Sequence, residues 1–241
     1  MCNKLILSYL ILSNPGHTYQ VNGTPIVPSS QVRDLGILMS DDLKFAKHIT
    51  NIVKTAYYRC NMIFRCFISK DVNFLCKLYC VYVRPILEYN TVLWSPHFIK
   101  DIDRLERVQK YFTRRLANFA SLDYSERLKK CNLDSLELRR IKADMIFVYK
   151  MVKNLVDLPV ELFFNFDDNH RTRGHSLKLK MGLAPKCDVY KFAFAHRSVA
   201  VWNSLDAACV NASSILSFKK QLDKQSFSRF LRGTFSSNPS P

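Results

Sequence analysis

The sequence predicts a mainly α chain of α+β class: a short N-terminal β-hairpin element, then a helical bundle, then a basic helical C-terminal region. Three observations carry that expectation. Four stretches between about residue 40 and residue 155 repeat apolar side chains at the i, i+3, i+4, i+7 spacing of one helix face. Asn22-Gly23 stands between two alternating runs, a strong short-range signal for a tight hairpin. Lys and Arg outnumber Asp and Glu by 36 to 20, a net charge of +16, while 48% apolar content supplies enough side chains for a packed core.

The first elements are short. Residues 4–38 read as strands, with HTYQVNGTPIV as the hairpin and VRDLGIL as a third strand, in which Gly36 allows a close backbone approach or a bulge. A helix is expected to start at Ser40 or Asp41, either of which can cap it. It buries Ile49, Ile52, Val53, Ala56, Tyr57, Cys60, Ile63, Phe64 and Phe67, and Lys44, Lys47, Lys54 and Arg59 fill the remainder.

The central stretch, Leu75 to His97, places Leu75, Leu78, Tyr79, Tyr82, Val83, Ile86 and Leu87 on one face, with Asp71 as its cap. Arg84 and Glu88 can pair four residues apart. Pro85 predicts a kink near Tyr82 or a break into two helices. A third helix is expected from Asp101 to Phe119. It buries Ile102, Leu105, Val108, Phe112 and Leu116, and exposes Arg104, Arg107, Lys110, Arg114 and Arg115. A fourth runs from Ser135 to Asn154 with Leu138, Ile141, Met145, Val148, Val152 and Leu155 inward, stopped by Leu158-Pro159.

Turn formers increase after Leu158, which sets a soft boundary. HRTRGHSLKLK reads as a basic hairpin or an extended arm. YKFAFAHRSVAVWNSL and SSILSFKKQLD read as two closing helices, the second capped by Ser213 or Ser214. The expected divisions are residues 1–38, 39–158 and 159–231, with 232–241 a flexible tail rich in Ser, Asn and Pro.

Several of these segments resemble, in order, motifs of non-LTR (LINE-type) retrotransposon reverse transcriptases of the jockey-like and chicken-repeat-like kinds. LYCVYVRPILEYNTVLWSPH is similar to their Y-x-x-x-V-R-P-x-L-E-Y-x-x-x-V-W-x-P signature, and LERVQKYFTRRL to L-E-x-V-Q-R-x-F-T-R. YSERLKKCNLDSLELRR, TRGH, the F-x-x-R-x-x-x-x-W-N-x-L run and the closing S-x-x-x-F-K-x-x-L-D run match as well, so the likeness covers most of Asn3–Asp223. The resemblance implies that residues 1–38 are the last strands of a palm-like subdomain and 39–158 a thumb-like bundle. It also implies that the parent enzyme, an RNA-directed DNA polymerase using Mg2+, carries its catalytic Asp pair upstream of Met1. This chain is then a C-terminal fragment that binds template–primer without catalytic carboxylates and needs no cofactor of its own; the alternatives are a stand-alone nucleic-acid-binding protein derived from such an element, or a decayed remnant with no activity. The missing palm and fingers would be a possible partner.

The residues themselves point to binding rather than catalysis. Polymerase chemistry needs carboxylates clustered around two metal ions. Asp41-Asp42 instead precedes a helix, where it can cap, and Asp167-Asp168 sits in a polar loop. No Gly-rich phosphate loop, G-x-S-x-G or H-E-x-x-H occurs. His48 and His97 read as surface or helix-end residues. The eight Cys include no C-x-x-C pair, and Cys187 with His175 and His196 fits no zinc spacing, so the thiols read as those of an intracellular protein, nuclear or cytoplasmic. No apolar run is long enough for a membrane span.

A chain this basic without a membrane segment calls for an anionic partner: RNA, DNA or an RNA–DNA hybrid, with no membrane. Between Lys100 and Lys153 there are 14 Lys/Arg against 8 Asp/Glu, and between Arg171 and Arg197 there are 7 against 1. Arg171, Arg173, Lys178 and Lys180 are the leading candidates for phosphate contact. Arg107, Lys110, Arg114 and Arg115 on the third helix come next. Tyr190, Phe192, Phe194 and Trp202 read as core aromatics at helical spacing before they read as base-stacking platforms.

Overall fold

Two consecutive hairpins are each set by a two-residue turn with a left-handed backbone. In the computed structural model, which describes residues 20–25, 29–167, 174–180 and 188–234, β1 (Gln20–Val21) pairs antiparallel with β2 (Thr24–Pro25). Asn22 and Gly23 between them have φ of 51° and 76°, the two positive values a type I′ turn needs. The expected strand residues 4–19 lie outside the described residues. The expected single third strand is a second hairpin: β3 (Gln31–Asp34) pairs with β4 (Ile37–Ser40) around Leu35 and Gly36, at φ 45° and 84°. Gly36 is therefore a turn residue and not a bulge. Leu35 is the poor fit, because its Cβ crowds the backbone in a conformation that costs an L-residue roughly 1–2 kcal/mol. Its side chain is 71% exposed, so no packing offsets that strain.

The chain then turns before it coils. Ser40 Oγ donates to Asp42 Oδ1 (2.6 Å) and to the Lys44 carbonyl (2.6 Å), and Asp42 Oδ1 also accepts from the Lys44 amide (3.0 Å). These bonds close a loop instead of capping a helix, so α1 starts later than expected and runs Ala46–Cys66. His48, in its first turn, is buried, and its Nδ1 accepts from the Leu38 amide at 3.4 Å, tying β4 to the helix start.

Contacts divide the chain into two units, Met1–Ile52 and Val53–Pro241. In the second unit the central stretch begins with α2 (Val72–Leu78), capped by Asp71, whose Oδ1 accepts from the Phe74 amide at 2.6 Å. One π-helical turn, Tyr79–Val83, follows and leads into α3 (Arg84–Glu88). Pro85 lies in the first turn of α3, where no intrahelical amide is required, and the π turn lets the Arg84 amide reach back to the Tyr79 carbonyl. The extra residue also shifts the helix phase. Tyr79, Val83 and Leu87 are buried at four-residue spacing, whereas Tyr82, expected on the inner face, is 54% exposed. The Arg84–Glu88 pair forms at 3.8 Å, and Glu88 also takes two bonds from Arg139.

After the short α4 (Thr91–Trp94), helix α5 (Ile99–Arg114) lies at the middle of the bundle. All five expected apolar positions, Ile102, Leu105, Val108, Phe112 and Leu116, are buried. Its inner face is wider than its apolar residues alone suggest. Glu106, Gln109 and Thr113, at i, i+3 and i+7, are buried beside them. Glu106 accepts from Tyr124 Oη (2.5 Å) and from the Leu136 amide (3.0 and 3.2 Å to its two oxygens). Gln109 accepts from Tyr79 Oη (3.1 Å) and donates to Tyr124 Oη (3.1 Å) and the Asp134 carbonyl (3.0 Å).

Tyr124 belongs to α6 (Tyr124–Cys131), a helix absent from the sequence-level expectation although Asp123 and Glu126 form a complete capping box at its start. Helix α7 (Leu136–Val152) is capped by Ser135 as expected. Leu155 is 52% exposed, because the helix ends before it and Asn154 takes a left-handed φ of 51°.

Met145, Val148, Tyr149 and Met151 of α7 share one apolar cluster with Val160, Phe164, Leu179, Trp202, Cys209, Phe218 and Phe227, so residues on both sides of Leu158 pack together. The closing segment holds α8 (Asp188–Lys191), α9 (Phe194–Trp202), α10 (Ala207–Val210) and α11 (Ile215–Leu222), the last capped by Ser214. Residues 232–234, expected at the start of a loose tail, are clamped. The Arg232 and Gly233 amides donate to Glu137 (2.8 and 3.0 Å), and Thr234 donates its amide and hydroxyl to Asp103 (3.0 and 2.7 Å). Residues 235–241 lie outside the described residues.

Two outcomes test this account of the fold. Leu35→Asn should relieve about 1 kcal/mol of turn strain and slow amide exchange across β3 and β4 about fivefold; unchanged or faster exchange contradicts a turn-limited hairpin. Glu106→Ala should destabilise the helical unit by about 3–5 kcal/mol, because it strands the Leu136 amide and the Tyr124 hydroxyl. Glu106→Gln keeps an acceptor and should cost clearly less in urea denaturation. Equal losses for the two variants would mean that the bonds to Glu106 are not what matters.

Candidate nucleic-acid interface

A phosphate-binding surface needs cations that water can reach and few anions beside them. Helix α1 contributes because the whole of Ala46–Cys66 contains no Asp or Glu. Its residues Lys54, Tyr58, Asn61 and Arg65 recur at i, i+4, i+7 and i+11, which is one stripe along the helix, and Lys54, Tyr58 and Arg65 are exposed. Helix α5 contributes for a different reason. It carries Asp101, Asp103 and Glu106, but all three are buried, while Arg107, Arg114 and the adjoining Arg115 are exposed. Arg107 and Arg114 are two turns apart, roughly 10.5 Å along the axis.

The two stripes are fastened side by side. Tyr57 and Tyr111 meet edge to face with centroids 5.2 Å apart, and Tyr111 Oη donates to Asn61 Oδ1 at 2.6 Å. The Arg115 guanidinium lies 4.5 Å over the Phe64 ring and donates to Asn61 Oδ1 (3.2 Å) and to Tyr111 Oη. A cation held on a ring and an amide in this way is pre-positioned and keeps its charge at the surface. Burial pushes the Tyr57 hydroxyl pKa up, with the nearby Arg107 charge opposing that shift.

Burial decides the charge balance. Of the eight carboxylates between Lys100 and Lys153, five (Asp101, Asp103, Glu106, Glu137 and Asp144) are buried, whereas only Arg127 and Arg140 of the fourteen cations are. The surface of this stretch is thus far more basic than its composition. Each withdrawn carboxylate has a structural role. Asp101 pairs with Arg104, and Asp103 and Glu137 hold residues 232–234. Glu106 holds Tyr124 and Leu136, and Asp144 takes a bidentate Arg197 at 2.8 and 3.0 Å.

The sequence-level candidates separate accordingly. Arg107, Arg114 and Arg115 come together on the cationic face. Lys110 is half-buried, and its carbonyl accepts from Arg127 at 3.0 Å. Arg171 and Arg173 lie outside the described residues. Lys178 and Lys180 flank a short antiparallel pairing of Phe166 with Leu179. There the Asp167 amide donates to the Lys178 carbonyl (2.8 Å) and the Lys180 amide to the Asn165 carbonyl (2.7 Å). Lys180 is exposed and Lys178 half-buried.

The TRGH histidine, His175, is buried with Nε2 3.1 Å from the Trp202 carbonyl, and burial lowers its pKa, so it belongs to the core. Trp202 is buried and Phe194 packs on Phe164 at 5.7 Å, as core aromatics, whereas Tyr190 is 59% exposed. Lys54, Tyr58 and Arg65 were not among the candidates; the signal available for them was the absence of any acid along α1.

Among the described residues the Asp pairs form no carboxylate cluster of the kind two-metal polymerase chemistry needs. Asp42 is engaged by Ser40 and Lys44, Asp41 Oδ1 accepts from the Asp42 amide at 2.9 Å, and Asp168 lies outside the described residues. Among the described residues no group of three or more His, Cys, Asp or Glu side chains is placed to hold a metal ion. No helix among them is long and apolar enough to cross a membrane.

Comparison with known proteins gives one informative likeness. The chain is 34% identical over 119 residues to the uncharacterized protein B0403.1 of Caenorhabditis elegans, a match covering 48% of this chain and 60% of that protein. No family model and no solved structure matches.

Proposed function

We propose that the chain binds nucleic acid through its phosphates, as a C-terminal portion of a non-LTR retrotransposon reverse transcriptase that lacks the catalytic carboxylates. The observation that carries the binding half is the cationic face of α1 and α5, where cations stand exposed and the helices' carboxylates are absent or buried. The ordered motifs carry the other half. In this reading the face lies along a template–primer duplex and grips it without reading sequence, since guanidinium and ammonium groups on a helix surface meet backbone oxygens rather than base edges. A stand-alone nucleic-acid-binding protein derived from such an element would use the same face. The two differ in whether separately supplied palm and fingers segments bind this chain.

The test is a salt titration of binding to an RNA–DNA hybrid by fluorescence anisotropy. With about four cations engaged, log K against log[salt] should fall with a slope near −3.5. Replacing Arg107, Arg114 and Arg115 together with Gln should flatten that slope by about 2.5 units and leave the helical content unchanged. Lys178→Gln with Lys180→Gln should change it by no more than about one unit. A triple variant with the parental slope moves the site away from α5, and an absence of binding at low salt refutes the proposal.

A further inference from the structure

A second feature of the helical unit lies apart from the cationic face. A cavity of about 260 Å3 opens between α5, α7, α9 and the segments around residues 95–97 and 230–232. Four buried side-chain nitrogens lack a hydrogen-bond partner among the described residues, and three of them, Arg140 Nη1, Arg140 Nη2 and His97 Nε2, belong to residues that line it. Arg140 is only 3% exposed, so water at the surface does not satisfy it. Glu106, Glu137, Glu88 and Asp144 act on its charge through space, yet none gives its terminal nitrogens a hydrogen bond. A buried guanidinium with both terminal nitrogens unpaired is costly and rarely left so without a ligand.

The wall composition narrows what would fill the cavity. Arg140, Lys191, Arg197 and Arg232 face Glu137 and Asp144, a balance of two positive charges. Asp144 is engaged by Arg197, and both oxygens of Glu137 accept backbone amides. Lys191 and Arg232 stand at the rim, each over the Phe192 ring, at 5.4 and 5.3 Å. Phe192 in turn stacks on His97 with centroids 4.2 Å apart, which fixes the imidazole. Ile141, Met145 and Phe230 complete an apolar side. A planar guanidinium fork, a net charge near +2 and an apolar wall match a phosphate monoester, which carries about −1.5 to −2 at neutral pH, better than a carboxylate at −1.

We infer that this cavity binds a phosphate monoester, with Arg140 as its bidentate anchor and Lys191 and Arg232 at its mouth. The ligand is either a free nucleotide or the terminal phosphate of a strand. The inference does not rest on the cationic face, since no residue is shared between the two.

The experiment follows thermal stability and binding of the full chain. AMP and inorganic phosphate should each raise the melting temperature saturably. Lys191→Gln with Arg232→Gln, both at the rim, should weaken the AMP midpoint about tenfold. Arg140→Met, which removes a buried unpaired charge at similar volume, should fold and lose the response. A 5′-phosphorylated oligonucleotide that binds about tenfold more tightly than its 5′-hydroxyl counterpart, in an Arg140-dependent way, assigns the site to a strand end. Equal binding of the two, with the AMP response intact, assigns it to a free nucleotide. The Arg107/Arg114/Arg115 variant should keep the AMP response. The inference is overturned if no phosphate probe shifts stability, or if Arg140→Met and the rim variant respond like the parent.

Discussion

Glu106 is 1% exposed, and desolvation there pushes its carboxyl pKa up, against the opposing pull of the Tyr124 hydroxyl, Arg140 and the Leu136 amide. Its oxygens take the first amide of α7 and the Tyr124 hydroxyl, and one turn later Gln109 takes Tyr79 of the π turn and the Asp134 carbonyl. Two polar residues of one helix thereby join the central stretch, α6 and the start of α7. An apolar core could press these elements together but would not fix their register, because apolar contact is non-directional. The bonds do, and a partly satisfied version of the same network would be worse than none.

That inward turn of the acids also shapes the surface. A helix with three carboxylates and five cations would ordinarily present mixed charge. Here Asp103 and Glu106 are committed to holding the chain together, so Arg107, Arg114 and Arg115 meet solvent while the acids of their own helix do not. Gly233 belongs to the same arrangement. A Cβ there would stand 2.9 Å from Ile102 Cγ2, 3.1 Å from Glu137 Oε2 and 3.3 Å from Asp103 Oδ1, so only glycine lets the chain approach Glu137 and Asp103 this closely. Fold stability and surface potential are thus set by one group of residues, and a substitution such as Asp103→Asn would alter both.

Much of the helical architecture was legible from apolar spacing alone. The inner faces of α5 and of the central stretch up to Tyr79, the Asp71, Ser135 and Ser214 caps and the Asn22-Gly23 turn follow from side-chain size and local hydrogen bonding. The departures have physical causes. Periodicity presumes 3.6 residues per turn, so the π turn that accommodates Pro85 put Tyr82 on the wrong face. A pattern search for apolar residues passes over Glu106, Gln109 and Thr113, although they sit at helical spacing beside the core. Leu35 was not marked as a turn residue because its chemistry argues against a positive φ, and the hairpin imposes it. Surface charge departs from composition for a related reason: counting charges along a segment treats a carboxylate as exposed, and burial removes five of the eight between Lys100 and Lys153 from the balance. At Lys178 and Lys180 the backbone is paired with residues 165–167, while the Lys180 side chain stays exposed.

The central claim is that exposed guanidinium groups of α5 meet phosphates while the buried ones do not. Arginine Nε–Hε resonances of the labelled full chain, followed by NMR as an RNA–DNA hybrid is added, address it directly. The account predicts salt-sensitive shifts for Arg107, Arg114 and Arg115, and none for Arg127, which is buried against the Lys110 carbonyl. Shifts confined to the region of residues 171–180, with the α5 arginines unmoved, would contradict it.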